Sequence, residues 1–172
     1  NVIVEERPDL VPVFLEGFPY HRRGEEAPDA EPVTPYAVPV FSRCEGTTSC
    51  FYVRGILEST FRERGIRPSD QQREALDFFD SLTRRESLHL EIGLTPGDVL
   101  LLNNCTTLHA RREFVDGEVD SERRLFLRLW LEGQPRRPLI PEFFIYQNRS
   151  GQMGIDGQAG REPAAAKFLA TR

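Results

Sequence analysis

The sequence predicts a mainly β domain with helical insertions, an α+β chain built on antiparallel strands. Three observations carry that prediction. Residues 124 to 131 alternate, with Leu125, Leu127, Leu129 and Leu131 on one face and Arg124, Phe126, Arg128 and Trp130 on the other. Leu88 to Leu94 alternates in the same way, Leu88, Leu90 and Ile92 facing one side and His89 and Glu91 the other. Successive strand side chains point to opposite faces, so a period of two is the mark of a half-buried strand. The third observation is a change of period upstream, where apolar residues recur at helical spacing in two segments.

In chain order, residues 1–16 hold a short apolar run broken by Pro8 and Pro12. A helical turn over Asp9 to Phe14 is compatible with them, and a long helix is not. Residues 17–39 are rich in proline and charge and read as a long loop or lid. His21, beside Arg22 and Arg23, reads there as a solvated loop histidine. Val38 to Ser42 is expected as a strand, Glu45 to Ser49 as a polar turn, and Cys50 to Val53 as renewed strand. Arg54 to Arg64 places Ile56, Leu57, Thr60 and Phe61 on one helical face, and Gly65 ends the run. A second helix opens at Pro68-Ser69, with Ser69 and Gln72 spaced as a capping box. Ala75, Leu76, Phe79 and Leu82 form its buried stripe, and Arg84 and Arg85 complement the dipole at its end.

Thr95-Pro96-Gly97-Asp98 then turns the chain into the block 97–131. This block reads as a strand over Val99–Leu102, a turn at Asn103-Asn104, a strand carrying His109, a hairpin loop at Asp116-Gly117 and the strand 124–131. Beyond Leu131 the chain is rich in Pro, Gly and Arg, with an apolar island at Ile140 to Tyr146. Residues 148–172 read as a tail draped over the domain or in part disordered. There are no internal repeats.

At 172 residues, with 39% hydrophobic and 28% charged side chains, the chain is sized for one domain, 1–172, with a core of its own. A net charge of -5 argues against nonspecific nucleic-acid binding, which needs a basic footprint. No apolar run approaches the ~20 residues of a membrane span, and no secretory signal is visible. Three cysteines, Cys44, Cys50 and Cys105, are odd in number and form no Cys-x-x-Cys pair. That usage suits a reducing cytoplasm. The expected partner is a small-molecule substrate, with neither nucleic acid nor membrane, and a homo-oligomer is compatible with all of this. The sequence starts at Asn1 without an initiator methionine, so processing or further upstream sequence is expected.

One resemblance is specific. Gly97-Asp98, Asn103-Asn104, Leu108-His109-Ala110-Arg111, Phe114, Arg124 and Arg128-Leu129-Trp130-Leu131 together resemble the C-terminal half of the taurine dioxygenase-like (TauD/TfdA-like) family. The similarity extends upstream through Arg7-Pro8-Asp9-Leu10, Gly24-Glu25-Glu26 and Pro39-Val40-Phe41-Ser42. It implies the C-terminal part of a double-stranded β-helix, the jelly roll of the clavaminate synthase-like proteins. The implied activity is an Fe(II)/2-oxoglutarate-dependent dioxygenase, an oxidoreductase that uses O₂ and hydroxylates a small organic molecule, an acidic one included.

The resemblance also assigns roles. A non-haem Fe(II) oxygenase holds its metal with two histidines and one carboxylate, leaving positions open. His109 corresponds to the distal metal ligand. Arg124 stands where the family places the arginine that grips the distal carboxylate of 2-oxoglutarate, a task suited to a rigid guanidinium fork. Arg128, on the same strand face, resembles a second arginine that in some relatives binds an acidic group of the substrate. Arg111 shares a face with His109 and reads as structural, as do Cys105 and Trp130. The family's first metal motif, His-x-Asp or His-x-Glu, has no counterpart at its expected place. His89-Leu90-Glu91 has that form but matches the family strand before the Gly-Asp turn, so it is expected as an exposed strand pair. The alternatives are a non-catalytic or degenerate β-helix domain lacking that motif, and a cupin-like binding module without iron.

Overall fold

The structure is a computed structural model, which describes residues 1–26, 29–115, 117–119, 123–131 and 133–146. Its packed part is built from short N-terminal helices, one β-hairpin and two longer helices. Helix α1 spans Val2–Glu6, a 3₁₀ turn follows at Pro8–Leu10, and α2 spans Val11–Glu16. Pro8 and Pro12 each sit in a first turn, where a missing N–H removes no helical hydrogen bond. The prolines therefore divide this segment into three pieces, and more of it is helical than the single expected turn.

Residues 17–39 lead from α2 to the hairpin. Isolated antiparallel bridges join Phe18 to Val38 and His21 to Val33. Phe18, Tyr20, Val33 and Val38 are buried along this path. Gly17 is required where it stands. Its φ is +74°, and a Cβ there would lie 2.1 Å from the carbonyl oxygen of Val38.

Strands β1, Phe41–Cys44, and β2, Thr47–Cys50, pair antiparallel with Phe41 opposite Cys50 and Cys44 opposite Thr47. The expected polar turn over Glu45 to Ser49 is tighter than the sequence indicated. Glu45 and Gly46 both take positive φ, 46° and 78°, the geometry of a two-residue hairpin turn. Ladder pairing therefore resumes at Thr47. A glutamate is an uncommon occupant of that left-handed position, so the turn was hidden from residue-type reasoning.

Helices α3, Arg54–Glu63, and α4, Asp70–Thr83, fall where the periodicity places them. Their buried faces are Ile56, Leu57, Thr60 and Phe61, and Ala75, Leu76, Phe79 and Leu82. The capping box on α4 is complete. Gln72 N–H donates to Ser69 Oγ at 3.1 Å, and Ser69 N–H donates to Gln72 Oε1 at 2.9 Å. Arg54 pairs with Glu58 within α3 at 2.8 Å and ties the two helices together through Asp77 at 2.8 Å and Asp80 at 3.3 Å. The Tyr52 hydroxyl donates to Asp80 at 2.6 Å.

The core is aromatic. Phe79 meets Tyr52, Phe41 and Phe14 with ring centroids 4.7, 5.4 and 5.5 Å apart. Near Ile145 the chain returns to this body, preceded by a 3₁₀ turn at Pro141–Phe143, and Phe143 and Ile145 join the core. Buried Arg22 holds that return, its Nε donating to the Ile145 carbonyl at 3.0 Å.

Residues 86–131 are a different material. Among the described residues the single ladder is β1–β2, and the expected strands Leu88–Leu94, Val99–Leu102 and 124–131, with the segment carrying His109, belong to no ladder or helix. None of their described residues is buried; Leu90, Val99, Leu129 and Leu131 are each more than three-quarters exposed. The reason is physical. A strand satisfies its backbone only through a neighbour, and here the described neighbours form no ladder with it. Asp116, half of the expected hairpin loop, and the tail 148–172 lie outside the described residues. No helix among the described residues is long and apolar enough to cross a membrane.

Candidate functional site

Two backbone contacts fix where the His109 segment begins. Asn103 closes the turn after Leu102, its carbonyl accepting from Thr106 and Thr107 N–H at 3.0 and 2.9 Å. Its side-chain oxygen accepts from Cys105 N–H at 3.0 Å, the self-bonding expected of a turn asparagine. The Cys105 carbonyl then accepts from Cys50 N–H at 2.8 Å, which moors the turn to the end of β2. Burial pushes the Cys50 thiol up to about 12, with the neighbouring Cys105 adding to the shift, and burial raises Cys105 itself. All three cysteines are free thiols.

On either side of this mooring, side chains connect the segments expected as strands. Glu91 pairs with Arg112 and also stands 3.5 Å from His89 Nε2. His89 Nδ1 lies 2.9 Å from the Arg85 carbonyl. Three guanidinium–ring contacts fall in 111–114 and 124–126, and one of them, Arg124 with Phe114, joins the two segments. Arg111 lies 4.3 Å from the Phe114 centroid, and Arg124 lies 5.2 Å from Phe114 and 4.1 Å from Phe126. Trp130 meets Tyr146 edge-on at 6.5 Å.

Arg124 is thus brought together with Arg111 around one phenyl ring, that of Phe114, which is 39% exposed. A groove of about 490 Å³ runs along Arg111, Arg112, Glu113, Phe114 and Val115. Two guanidinium groups at an exposed aromatic edge of such a groove suit a carboxylate-bearing ligand. Arg128 and His109 are exposed. Among the described residues no three His, Cys, Asp or Glu side chains converge in a way that could hold a metal. These residues therefore do not fit a complete iron centre, whereas the arginine pair fits an anion. Phe114 stood in the family pattern without a role. Its position between two arginines, three residues after one and ten before the other, was the available signal.

The sequence has counterparts among known proteins. The model of the family "Taurine catabolism dioxygenase TauD, TfdA family" matches residues 4–130. The chain belongs to the TauD/TfdA family. The match spans both the packed body and the segment carrying His109 and Arg124. An FR-33289 synthase of Streptomyces rubellomurinus is 32% identical over 135 residues, 76% of this chain. A taurine hydroxylase-like protein of Stachybotrys chartarum is 31% identical over 134 residues, 75% of this chain. The aligned parts make up 39% and 32% of those two relatives, so the chain corresponds to well under half the length of either. Membership places it in a dioxygenase-type family of oxidoreductases that generally use Fe(II), 2-oxoglutarate and O₂.

His21, expected as a solvated loop residue, is instead held on every side. Its Nδ1 accepts from Arg23 N–H at 2.7 Å, its Nε2 meets Glu63 at 2.6 Å, and its backbone N–H donates to Thr60 Oγ1 at 3.0 Å. It serves to fasten residues 21–23 to α3.

Proposed function

We propose that the complete protein is an Fe(II)/2-oxoglutarate-dependent dioxygenase with the double-stranded β-helix fold of its family. It couples oxidative decarboxylation of 2-oxoglutarate to hydroxylation of a small organic substrate. In balance, R–H, O₂ and 2-oxoglutarate give R–OH, succinate and CO₂. The observation that carries this reading is Arg124 held beside Arg111 at Phe114, within a family match that also contains His109.

In this reading Arg124 receives the distal carboxylate of 2-oxoglutarate through its guanidinium fork. Arg128, which shares the Arg124 face by strand alternation, receives an acidic group of the prime substrate. His109 supplies one imidazole ligand to the iron, whose bound form would supply the oxygen chemistry. The remaining ligands are not assembled by the described residues. A cytoplasmic setting accords with three unpaired thiols.

The test measures succinate release and Fe(II) binding in the full-length protein. His109→Ala should abolish both, while His89→Ala, in a residue paired with Glu91, should leave both intact. Arg124→Lys should raise the 2-oxoglutarate requirement by roughly 30-fold or more, since lysine cannot reproduce a bidentate pair. Arg128→Ala should uncouple succinate release from product formation. The competing reading is a non-catalytic family member, motivated by the His-x-Asp or His-x-Glu motif that has no counterpart at its expected place in this sequence. Wild-type protein that binds no iron and releases no succinate would establish it.

A further inference from the structure

We infer that Phe114 is a positioning residue for Arg124, setting with Phe126 the orientation in which the guanidinium meets a carboxylate. The inference rests on the cosubstrate role proposed for Arg124 above. Its basis is that Arg124 contacts two rings, Phe126 at 4.1 Å and Phe114 at 5.2 Å, contributed by segments on either side of residues 115–123. An arginine on a flexible stem has many rotamers, and each aromatic face removes some of them through the attraction between cation and ring quadrupole. The N–H groups of a guanidinium lie in its own plane. A ring that fixes that plane therefore also fixes the direction of the fork.

Phe114 is suited to this task by a second contact. Arg111 lies 4.3 Å from the centroid of the same ring. One phenyl group thus gathers the guanidinium groups of Arg111 and Arg124. An aliphatic side chain of similar size would fill the space without the quadrupole, and so would hold neither arginine in this way.

The experiment is calorimetric titration of 2-oxoglutarate into the metal-free, full-length protein, with the melting temperature of every variant measured alongside. Phe114→Leu should weaken binding roughly 3- to 30-fold, the range of one to several cation–ring contacts. Its melting temperature should match wild type, and Phe114→Tyr, which keeps the ring face, should restore the affinity. Wild-type affinity in Phe114→Leu, with Arg124→Lys weakened, would overturn the positioning role and leave the cosubstrate site standing. Wild-type affinity in Arg124→Lys would overturn the cosubstrate site itself. If Phe114→Leu melts early and Phe114→Tyr restores nothing, the ring is a packing element and the inference is wrong.

Discussion

Helix α4 and the segment 124–131 are equally well patterned in sequence, yet one is packed and the other lies open. The stripe Ala75, Leu76, Phe79 and Leu82 is buried, while Leu125, Leu127, Leu129 and Leu131 are between 49% and 82% exposed. The difference lies in what each pattern requires. A helix closes its backbone hydrogen bonds within itself and needs a neighbour only for its apolar stripe. A strand needs a neighbour for its backbone as well, so its pattern is an instruction to pair. Among the described residues α3 and α4 are therefore formed as their patterns ask, whereas the patterns of 88–131 are expressed as side-chain contacts, Glu91 with Arg112 and Arg124 with Phe114.

Hydrogen exchange should show this contrast most strongly. Amides within α4 exchange only through opening of the packed body, those of 99–102 without it. For a domain of ordinary stability, protection should differ by about a thousandfold or more. Equal protection in both would mean that 99–102 is paired in solution.

Truncation tests the same contrast through stability. Phe79→Ala empties the centre of three aromatic contacts and should destabilise by about 3–5 kcal/mol in denaturant unfolding. Leu129→Ala, at a residue 82% exposed, should stay within about 0.5 kcal/mol. A large loss in Leu129→Ala would show that this leucine face is covered.

High pH should weaken the body selectively. Burial raises the Cys50 thiol to about 12 and pushes the Tyr20 and Tyr52 phenols above their usual range. Groups held neutral in this way contribute stability below their unfolded pKa values, and that stability is lost as pH rises through the folded ones. For Cys50 the loss runs from about pH 9 toward about 12. Unfolding midpoints should fall across that window, and Cys50→Ala should make the fall shallower. The smallest effect belongs to the cap on α4. Ser69→Ala removes the acceptor for Gln72 N–H and should reduce stability by about 1 kcal/mol.

The sequence carried the helices in detail because their signals are local. Ser69 and Gln72 announce a start, and the buried faces of α3 and α4 follow from spacing alone. It concealed the Glu45-Gly46 turn, since glutamate seldom takes positive φ. It also concealed the fastening of His21 to Glu63 and Thr60, which depends on residues some forty positions apart. For the candidate site, alternation put Arg124 and Phe126 on one face, and the 4.1 Å contact between them agrees. The juxtaposition of Arg124 with Phe114 could not be read locally, because strand register is set by pairing partners rather than by composition.

The hydrogen bond between Cys50 N–H and the Cys105 carbonyl acts as a leash. A polypeptide reaches at most ~3.6 Å per residue, so His109, four residues on, stays within ~14 Å of that anchor while the bond holds. Arg137, bonded to Ser49 and Thr48, makes a second leash to the same strand from the far side of the excursion. Residues 106–136 therefore form a tethered span whose two ends are tied to neighbouring positions on β2. Whatever partner His109 meets, it meets it near that strand, because the tether on its side is only four residues long.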